Sequence, residues 1–535
     1  MSDLYHARLQ RLELPENCLL LKNIQRGIEK EGLRVTSQAM LAQTRHPQAL
    51  GSALMHGSIT TDYSESLLEF ITPVFQRVDE SIDYLHHLHS FTLRNIGDEY
   101  IWPASMPCKL DGEASIPIAQ YGGSNSGQMK QVYRQGLAYR YGRMMQSIAG
   151  IHYNFSMPDS FWPLCQDLFE NKGDVQEFKS NRYFALIRNF QRYSWLLSYL
   201  FGASPALDSS FMENNPQELV QLSKSTLGLP FATSLRMSDL GYQSSAQGNM
   251  NICYRGLDSY IGSLSQAIQE NYPDYESIGV KVDGKYRQLN TNLLQIENEH
   301  YSNIRPKRVT SSGETPLEAL KKRGVEYVEV RILDINPFMA VGIDAEQVRF
   351  LDAFLLYCLL ADSDDISPTE NNEINYNQKR CILEGRRPSL MLYRSGNLLP
   401  FKDAANQLLD DVENVAKLLD IAHEKQRLDV QGYKHSVMLQ RNKVESSERT
   451  PSGQVMHEIL RGNSYTEMIQ MQAEKNKRHF LRQVLPHGFD MELKRLAVDS
   501  VRQQQQLENN ETSSFDDFLQ AYQASESSAI EFELA

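Results

Sequence analysis

Carboxylate side chains recur at alternate positions in segments that otherwise have the pattern of β-strands. In residues 27–31, strand alternation places Glu29 and Glu31 on one face and Ile28 on the other. Two like charges on one face of a strand repel each other, so the arrangement calls for compensation such as a bound cation. An edge strand with solvated acids is the simpler explanation of this segment taken alone.

The same pattern returns near residue 330. Val328, Val330 and Ile332 form one apolar face, while Glu329 and Arg331 share the opposite face. A surface ion pair explains this strand as well as a site does when it is considered singly. The repetition of the pattern is what favours a functional site.

Two further segments add polar groups of the same kind. His152 and Asn154 alternate with apolar residues, although a lone histidine is more often structural than a ligand. Asp62 precedes the apolar run 67–71, and Glu69 interrupts it. A charge inside such a run is costly to bury without a partner, so a partner for Glu69 is expected.

If these strands share one antiparallel sheet, a single face carries a set of candidate metal ligands. The set is Glu29, Glu31, Asp62, Glu69, His152 and Glu329. An oxygen-rich group without thiolates suits Mg²⁺, with Mn²⁺ as the alternative, better than zinc. Because Mg²⁺ keeps open positions for substrate phosphates, a nucleotide is implied.

The nucleotide would be held by neither familiar phosphate-binding loop, because no Walker A motif or clear Rossmann fingerprint occurs. Arg305, Lys307 and Arg308 are the candidates for binding ATP phosphates, although a solvated basic loop is the usual explanation of such a run. The glycine-rich residues 122–127 allow a mobile loop near the substrate, although a surface turn is the simpler explanation.

The composition narrows the function classes. The chain has 535 residues and a formal net charge of -13, which disfavours a nucleic-acid partner. No secretory signal is visible, and the longest apolar stretch, residues 350–361, is too short to span a membrane and predicts a buried helix. Six scattered cysteines lack zinc or redox spacing, so we expect reduced thiols and a cytoplasmic location without a membrane partner.

Period-two segments among longer helical ones predict an α+β fold. The predicted strands are residues 24–35, 67–74, 150–156 and 325–335, and the predicted helices are 80–95 and 181–201. We expect a catalytic core over residues 1–361 and a mainly helical supporting region over 362–535. The boundary is approximate, and the alternative is that the chain forms one continuous domain. Polar loops are expected over 362–377, and the last thirty residues are expected to be loosely attached unless Phe515 and its neighbours dock as one amphipathic helix.

Long ordered blocks of the sequence resemble one known family. They are IQRGIEKEGLRV at 24–35, ITTD at 59–62, LLEFITPV at 67–74, WPASMPC at 102–108, GIHYNFS at 150–156, FGASPA at 201–206, ATSLRMSDLGY at 232–242, QIENE at 295–299, IRPKR at 304–308 and YVEVR at 327–331. On these blocks the chain resembles the proteobacterial class of glutamate-cysteine ligases, also called gamma-glutamylcysteine synthetases. The resemblance is strong over residues 22–361 and weak afterwards.

The resemblance implies a glutamine-synthetase-like catalytic domain, in which a curved, mainly antiparallel sheet forms a funnel flanked by helices. It places the divalent cations on the six ligands named above. It also implies a substrate pocket, with tyrosines mostly around cysteine, made of Tyr133, Arg134, Leu137, Gln146, Asn154, Arg236, Tyr242, Tyr301 and Arg331. Arg331, Arg236 and Glu329 are the expected catalytic residues.

The implied reaction joins the γ-carboxylate of L-glutamate to the amine of L-cysteine through γ-glutamyl phosphate, with ATP as co-substrate. It is the first step of glutathione biosynthesis, and glutathione is an expected feedback inhibitor. We expect a monomer. Two alternatives stay open: a ligase of the same fold that uses another amine, and a catalytically silent relative that binds nucleotide or glutamate as a regulator.

Overall fold

A mainly antiparallel sheet lies at the centre of the protein. The computed structural model describes residues 3–212, 219–240, 245–248, 250, 252–311, 314–423 and 432–531. Its strands are β1 Gln25–Val35, β2 Ile59–Thr61, β3 Leu67–Ile71, β4 Tyr100–Ile101, β5 Ile151–Ser156, β6 Ala206–Asp208, β7 Val220–Ser223, β8 Thr226–Gly228, β9 Lys281–Val282, β10 Lys285–Tyr286, β11 Ile304–Lys307, β12 Tyr327–Leu333, β13 Met391–Arg394 and β14 Asn397–Pro400.

Seven of these strands form the central sheet. Its order is β11-β12-β5-β1-β3-β2, with β4 pairing the end of β1, and every pairing is antiparallel. The four predicted strands are all present and adjacent in this sheet, so the strand-face argument from the sequence applies to one continuous surface. The remaining strands form a three-stranded sheet, β6-β8-β7, and the hairpins β9-β10 and β13-β14.

One face of the central sheet packs into the core. Ile28, Tyr153, Val328 and Val330 are fully buried there, as the period-two alternation predicts. The helices are α1 Asp3–Leu12, α2 Pro15–Cys18, α3 Val78–Asn95, α4 Asn125–Tyr141, α5 Trp162–Leu168, α6 Val175–Phe201, α7 Ser245–Gly248, α8 Leu257–Gln269, α9 Pro273–Glu276, α10 Pro316–Arg323, α11 Ala345–Leu360, α12 Pro368–Glu384, α13 Phe401–His423, α14 Tyr433–Glu445, α15 Pro451–Leu460, α16 Tyr465–Arg482, α17 His487–Asn510 and α18 Phe515–Glu531.

Helices α6 and α11 form the main helical layer. The apolar stretch predicted as a buried helix is the greater part of α11. Helix α6 begins at Val175, before the predicted start at residue 181, because the Asp174 carboxylate caps it by accepting a hydrogen bond from Glu177 N. The apolar pattern of the sequence predicted only the later part of α6. The start of the helix depends on a polar cap instead.

The expectation of polar loops over residues 362–377 is wrong for most of that segment. Helix α12 begins at Pro368, where Ser367 Oγ accepts a hydrogen bond from Glu370 N and proline occupies the first turn. A serine cap followed by proline is a helix start, and this signal outweighs the low apolar content of the segment.

Helices α17 and α18, which run to Glu531, dock on the rest of the protein. Glu508 Oε1 accepts a hydrogen bond from Gly123 N at 2.8 Å, and Glu511 Oε2 accepts one from Asn125 N at 2.6 Å. Lys281 Nζ lies 2.9 Å from Asp516 Oδ2. The turn at 122–127 therefore leads into α4 and is covered by the C-terminal helices. Of the two alternatives for the tail, the described residues follow the second, in which Phe515 and its neighbours dock as a helix, with the Phe515 ring against that of Tyr286.

A single cluster of buried apolar side chains includes residues from both sides of position 361, among them Leu351 and Leu409. The division into 1–361 and 362–535 stays a prediction. Among the described residues, no helix combines the length and the apolar character needed to cross a membrane. All six cysteines are free thiols.

Candidate active site

The predicted acids lie side by side on the face of the central sheet that is opposite the apolar core. In the strand register, Glu31 is opposite Glu69 across β1 and β3, and Glu29 is opposite His152 across β1 and β5. Alternation along β1 sends Glu29 and Glu31 to the same face. Four side chains from three strands are thus brought to one patch, as the sequence argument required.

The same face continues onto β12 and β11, where bases replace acids. Glu329 is opposite Asn154 on one side and Arg305 on the other. Arg331 Nη1 lies 3.2 Å from Glu329 Oε2, and Lys307 Nζ lies 4.0 Å from the same oxygen. The pairing of β12 with β5 shifts register between Val330 and Leu333, so Arg331 sits at an irregularity of the kind that re-aims side chains next to active sites.

Glu29, His152 and Glu329 form the tightest group of potential metal ligands. One ligand atom from each lies within 4.8 Å of the others. His152 Nδ1 is 3.2 Å from Glu29 Oε2 and 3.7 Å from Glu329 Oε1. Within the described residues, the buried atoms His152 Nε2, Asn154 Oδ1 and Glu329 Oε2 accept or donate no hydrogen bond. Oxygen and nitrogen donors left unsatisfied in this way fit a divalent cation.

Electrostatics at the β3 end of the face show a shortage of positive charge. Burial, followed by the charges of Glu29, Asp62 and Glu31, raises the pKa of Glu69 well above its usual range. Burial and the charge of Asp62 also raise the pKa of Glu31, although Glu31 Oε2 accepts a hydrogen bond from Gly150 N at 2.5 Å. This end of the face attracts cations.

At the β12 end of the face, positively charged and hydrogen-bonding neighbours balance the acids. Burial opposes ionisation of Glu329, but Lys307 and Arg331 hold the pKa of its carboxyl well below the usual range. Burial likewise opposes ionisation of Glu29, yet its hydrogen bond with His152 leaves the pKa lowered. The face therefore changes from acids that repel one another, which would hold a cation, to acids held ionised beside bases, which would bind an anionic group.

Helix α4 forms a second wall beside the acidic end. Arg134 Nη2 lies 3.6 Å from Asp62 Oδ1, and the Arg134 guanidinium lies over the Tyr121 ring, 4.7 Å from its centroid. Leu137 is buried one turn further along α4. Tyr133 is half-buried on the same helix. Position 134 is thereby fixed by an acid on one side and by an aromatic ring on the other.

The predicted cysteine pocket is described in part. Gln146 Nε2 donates to the Tyr301 hydroxyl at 3.1 Å, so these two predicted residues are in contact. Tyr301 N in turn donates to Gln247 Oε1 at 2.9 Å, which ties it to α7. Tyr242 lies outside the described residues.

Arg236 lies beneath the face, almost fully buried. Its Nη2 donates to the backbone oxygen of Arg331 at 2.9 Å, and its Nη1 lies 3.6 Å from Asp334 Oδ1. A side chain at Gly150 would overlap the Arg236 guanidinium, so glycine is required there. The two predicted catalytic arginines are therefore directly linked.

Comparisons with known proteins agree with this geometry. The glutamate-cysteine ligase family model matches residues 9–381. Glutamate-cysteine ligase of Pseudomonas putida KT2440 is 50% identical over 526 residues, covering 98% of this chain and 99% of the relative. The Pseudomonas aeruginosa UCBPP-PA14 protein of the same name is 49% identical over 528 residues, covering 98% and 99%.

The chain belongs to the glutamate-cysteine ligase family. The resemblance and the ligase class expected from the sequence are confirmed. A crystal structure of the Francisella tularensis glutamate-cysteine ligase in complex with AMP has a TM-score of 0.88 and 38% identity, covering 95% of this chain and 98% of that chain. A bifunctional glutathione synthetase from Pasteurella multocida has a TM-score of 0.69 at 22% identity, covering 90% of this chain and 55% of that chain, and supports the α+β fold alone.

In this ligase most of the predicted site residues lie together, but Arg308 does not. Arg308 follows the end of β11, its Nε is 3.5 Å from Glu326 Oε2, and its Nη1 donates to the backbone oxygen of Arg323. Arg305 is nearly buried and donates to the backbone oxygens of Asn298 and His300. Of these three side chains, Lys307 has the charge that is least occupied by contacts with other residues.

Two functional candidates were missed from the sequence. Lys130 lies one turn before Arg134 on α4, and its Nζ is 5.1 Å from the centroid of the same Tyr121 ring. Burial and the Arg134 charge lower the pKa of its ammonium. The i, i+4 spacing with Arg134 was the available signal. Asp334, one residue beyond β12, had no signal in the sequence, because its contacts with Arg236 and with a serine pair come from distant segments.

Proposed function

We propose that this ligase joins the γ-carboxylate of L-glutamate to the amine of L-cysteine, with hydrolysis of ATP to ADP and phosphate, and so makes γ-glutamylcysteine. The observation that carries the proposal is the single sheet face on which Glu31, Glu69, Glu29 and His152 meet Glu329 and Arg331. The family to which the chain belongs performs this reaction as the first step of glutathione biosynthesis.

A carboxylate is a poor acylating group at neutral pH, so ATP must first convert it to the acyl phosphate, γ-glutamyl phosphate. When bound by Glu29, Glu31, Asp62, Glu69, His152 and Glu329, Mg²⁺ or Mn²⁺ would supply charge neutralisation for the transferring phosphoryl group. Lys307 and Arg305 are the proposed ligands of the ATP phosphates, and their position on β11, the strand that pairs with β12, supports this proposal.

Arg331 is the proposed group that stabilises charge on the phosphoryl oxygens and on the reacting carbonyl. Its guanidinium is held by Glu329, which fixes its direction without a change of geometry during the reaction. Arg236 supports it from below through the Arg331 backbone oxygen. Arg134, held by Asp62, is the proposed partner of the α-carboxylate of glutamate.

The amine substrate is proposed to lie between α4 and residue 301. Tyr133, Tyr242 and Tyr301 would surround the thiol, and Gln146 fixes the Tyr301 hydroxyl. The amine of cysteine then attacks the acyl phosphate carbon, and phosphate leaves. Leu137 and Asn154 complete the proposed substrate-binding set, since Asn154 Nδ2 already orients Glu29 by donating to its Oε1 at 2.9 Å.

Phosphate release by the purified protein tests this function. The assay contains Mg²⁺-ATP and glutamate, with or without cysteine, and the product is identified by mass spectrometry. Cysteine-dependent phosphate together with γ-glutamylcysteine is expected. Phosphate released only with a different amine would overturn the substrate but keep the mechanism, and no turnover with any amine would favour the silent regulator.

Four further properties are part of the proposal. Glutathione contains the γ-glutamylcysteine unit, so it should inhibit competitively with glutamate; non-competitive inhibition would exclude this site. A monomer of 61.3 kDa is expected in light scattering. The free thiols of all six cysteines fit a reducing, cytoplasmic location.

Residues 362–535 are proposed to support the catalytic region. The hydrogen bonds by which Glu508 and Glu511 hold the start of α4 support this role.

A further inference from the structure

A cavity of about 710 Å³ lies on the helical side of the molecule. It is enclosed by α6, α11, α12, α13 and the β13-β14 hairpin, and no strand of the central sheet lines it. This volume is in the usual range for small-molecule sites, which are about 300 to 1,000 Å³. The proposed ligase site does not account for it.

Aromatic side chains form much of its wall. Trp195 and Tyr357 are almost fully buried, Tyr193 is half-buried, and Tyr393 stands at the exposed hairpin. Aromatic and apolar walls with a few polar groups are typical of pockets that bind small organic ligands.

Most of the charged residues of the wall are committed to structural contacts. Arg192 Nε lies 2.6 Å from Glu370 Oε1. The Glu373 carboxylate accepts hydrogen bonds from the backbone nitrogens of Ser395 and Gly396 at 3.0 and 2.7 Å, and so fixes the hairpin turn. These contacts leave two charged residues of the wall for a ligand.

The two remaining charges are opposite in sign. Within the described part of the chain, neither Asp411 nor Arg394 belongs to a close ion pair, although the Arg394 charge acts on the Asp411 carboxyl. Arg394 Nη1 donates to Gln407 Oε1 at 2.9 Å. The Asp411 carboxylate accepts no hydrogen bond from a described residue; burial, followed by the charge of Asp410, raises its pKa to about 6, although the charges of the amino terminus, Arg394 and His6 act in the opposite direction. A half-buried acid and a nearby base with aromatic walls match a zwitterion.

We propose that this cavity is a second ligand site, for a free α-amino acid with an apolar or aromatic side chain. Asp411 binds the α-ammonium group, Arg394 binds the α-carboxylate, and the side chain packs against Trp195 and Tyr357. Two charge-assisted contacts give the site its preference for a zwitterion over a simple amine or acid.

The cavity is linked to the proposed substrate pocket through α12. Its first turns line the cavity, and near its other end Thr233 N donates to the Ile382 backbone oxygen and Thr233 Oγ1 to the Cys381 backbone oxygen, both at 2.8 Å. Thr233 belongs to the segment that carries Arg236. A ligand that shifts α12 therefore changes the position of Arg236, so the site is regulatory; this step rests on the proposed function, whereas binding does not.

Tryptophan fluorescence of the full chain tests the binding step. Trp102 and Trp162 are buried elsewhere, so Trp195 is the reporter, and Trp195→Phe should abolish the signal. L-phenylalanine should give a saturable change, with binding about tenfold weaker for phenethylamine, which lacks the carboxylate, and for 3-phenylpropionate, which lacks the ammonium group.

Asp411→Asn and Arg394→Gln should each weaken L-phenylalanine binding by about tenfold, whereas the matched control Asp403→Asn, exposed on the same helix, should not. No saturable change, equal binding of the three compounds, or full binding by Asp411→Asn would overturn the site.

The regulatory step is tested by the KM for glutamate at saturating L-phenylalanine. A change of about fivefold is expected in the unmodified enzyme and none in Asp411→Asn. An unchanged KM would overturn the regulatory role. Absence of any ligase activity would instead refute the proposed function, while the fluorescence result would still decide the binding site.

Discussion

Glu31 and Glu69 occupy directly opposed positions in the register of β1 and β3. Cross-strand neighbours of like charge destabilise a sheet, and here burial adds to the cost. The raised pKa of Glu69 reflects this unfavourable burial and repulsion. A bound cation would remove that cost.

Replacing Glu69 by Gln should stabilise the metal-free protein while it removes activity. Loss of one of two opposed charges should raise the free energy of unfolding by about 1 kcal/mol, measured by urea denaturation in EDTA. Turnover should fall by about 10²-fold or more. Glu492→Gln, on the surface of α17, is the control and should change neither quantity. A less stable Glu69→Gln protein would contradict the repulsion argument.

Glu29→Gln should behave differently, although it lies on the same strand. Glu29 accepts hydrogen bonds from Asn154 and His152, so it is not the repelled member of the group. The metal-free variant should gain no stability in the same urea experiment, yet turnover should be abolished with the circular dichroism spectrum unchanged. Retained turnover would refute its assignment as a metal ligand.

Strand alternation was sufficient to place Glu29, Glu31, His152 and Glu329 on one face, because the period of a strand fixes the direction of each side chain. The same reasoning could not supply Asp334 or the docking of Glu511 on Asn125, since these contacts join segments far apart in the chain. The start of α12 was missed for another reason: apolar periodicity was weighed above the cap at Ser367.

Asp334 should be a positioning residue for Arg236. Its carboxylate accepts hydrogen bonds from Ala203 N, Ser204 Oγ and Ser234 Oγ at 2.8, 2.6 and 3.0 Å. Asp334→Asn leaves the buried guanidinium without its counter-ion, so a loss of about 3 to 5 kcal/mol in unfolding free energy is expected.

In the molecules that stay folded, Asp334→Asn should change the KM for a substrate. A simple loss of folded enzyme would lower the total rate and leave KM unchanged. Active-site titration separates the two effects. Asp239→Asn, which breaks an exposed pair with Lys379, is the matched control and should have almost no effect. Normal KM values per folded molecule would limit Asp334 to a structural role.

Lys443 should make stability depend on pH in the alkaline range. Burial lowers its pKa to about 8, whereas the unfolded chain keeps a value near 10.4. Between these values the unfolded state binds the extra proton, so stability should rise with pH from about 8 to 10. The difference in urea midpoint between the unmodified protein and Lys443→Met should show this rise; a difference that falls with pH would contradict it.

The tyrosine-lined pocket should tolerate a cysteine analogue of similar size. Discrimination by one methylene-sized group in an apolar pocket is limited to about 1 to 3 kcal/mol. L-2-aminobutyrate should therefore be used with kcat/KM reduced by about 10 to 200-fold, measured by phosphate release. Complete absence of turnover with this amine would require a specific thiol contact.

The central claim is that the sheet face activates glutamate as an acyl phosphate, and transfer of oxygen tests it most directly. The enzyme is supplied with glutamate carrying ¹⁸O in its γ-carboxylate, together with Mg²⁺-ATP and cysteine, and the released phosphate is examined by mass spectrometry. One ¹⁸O atom per phosphate, matched to one γ-glutamylcysteine, is the predicted result. Product formed with phosphate that carries no ¹⁸O would contradict the account.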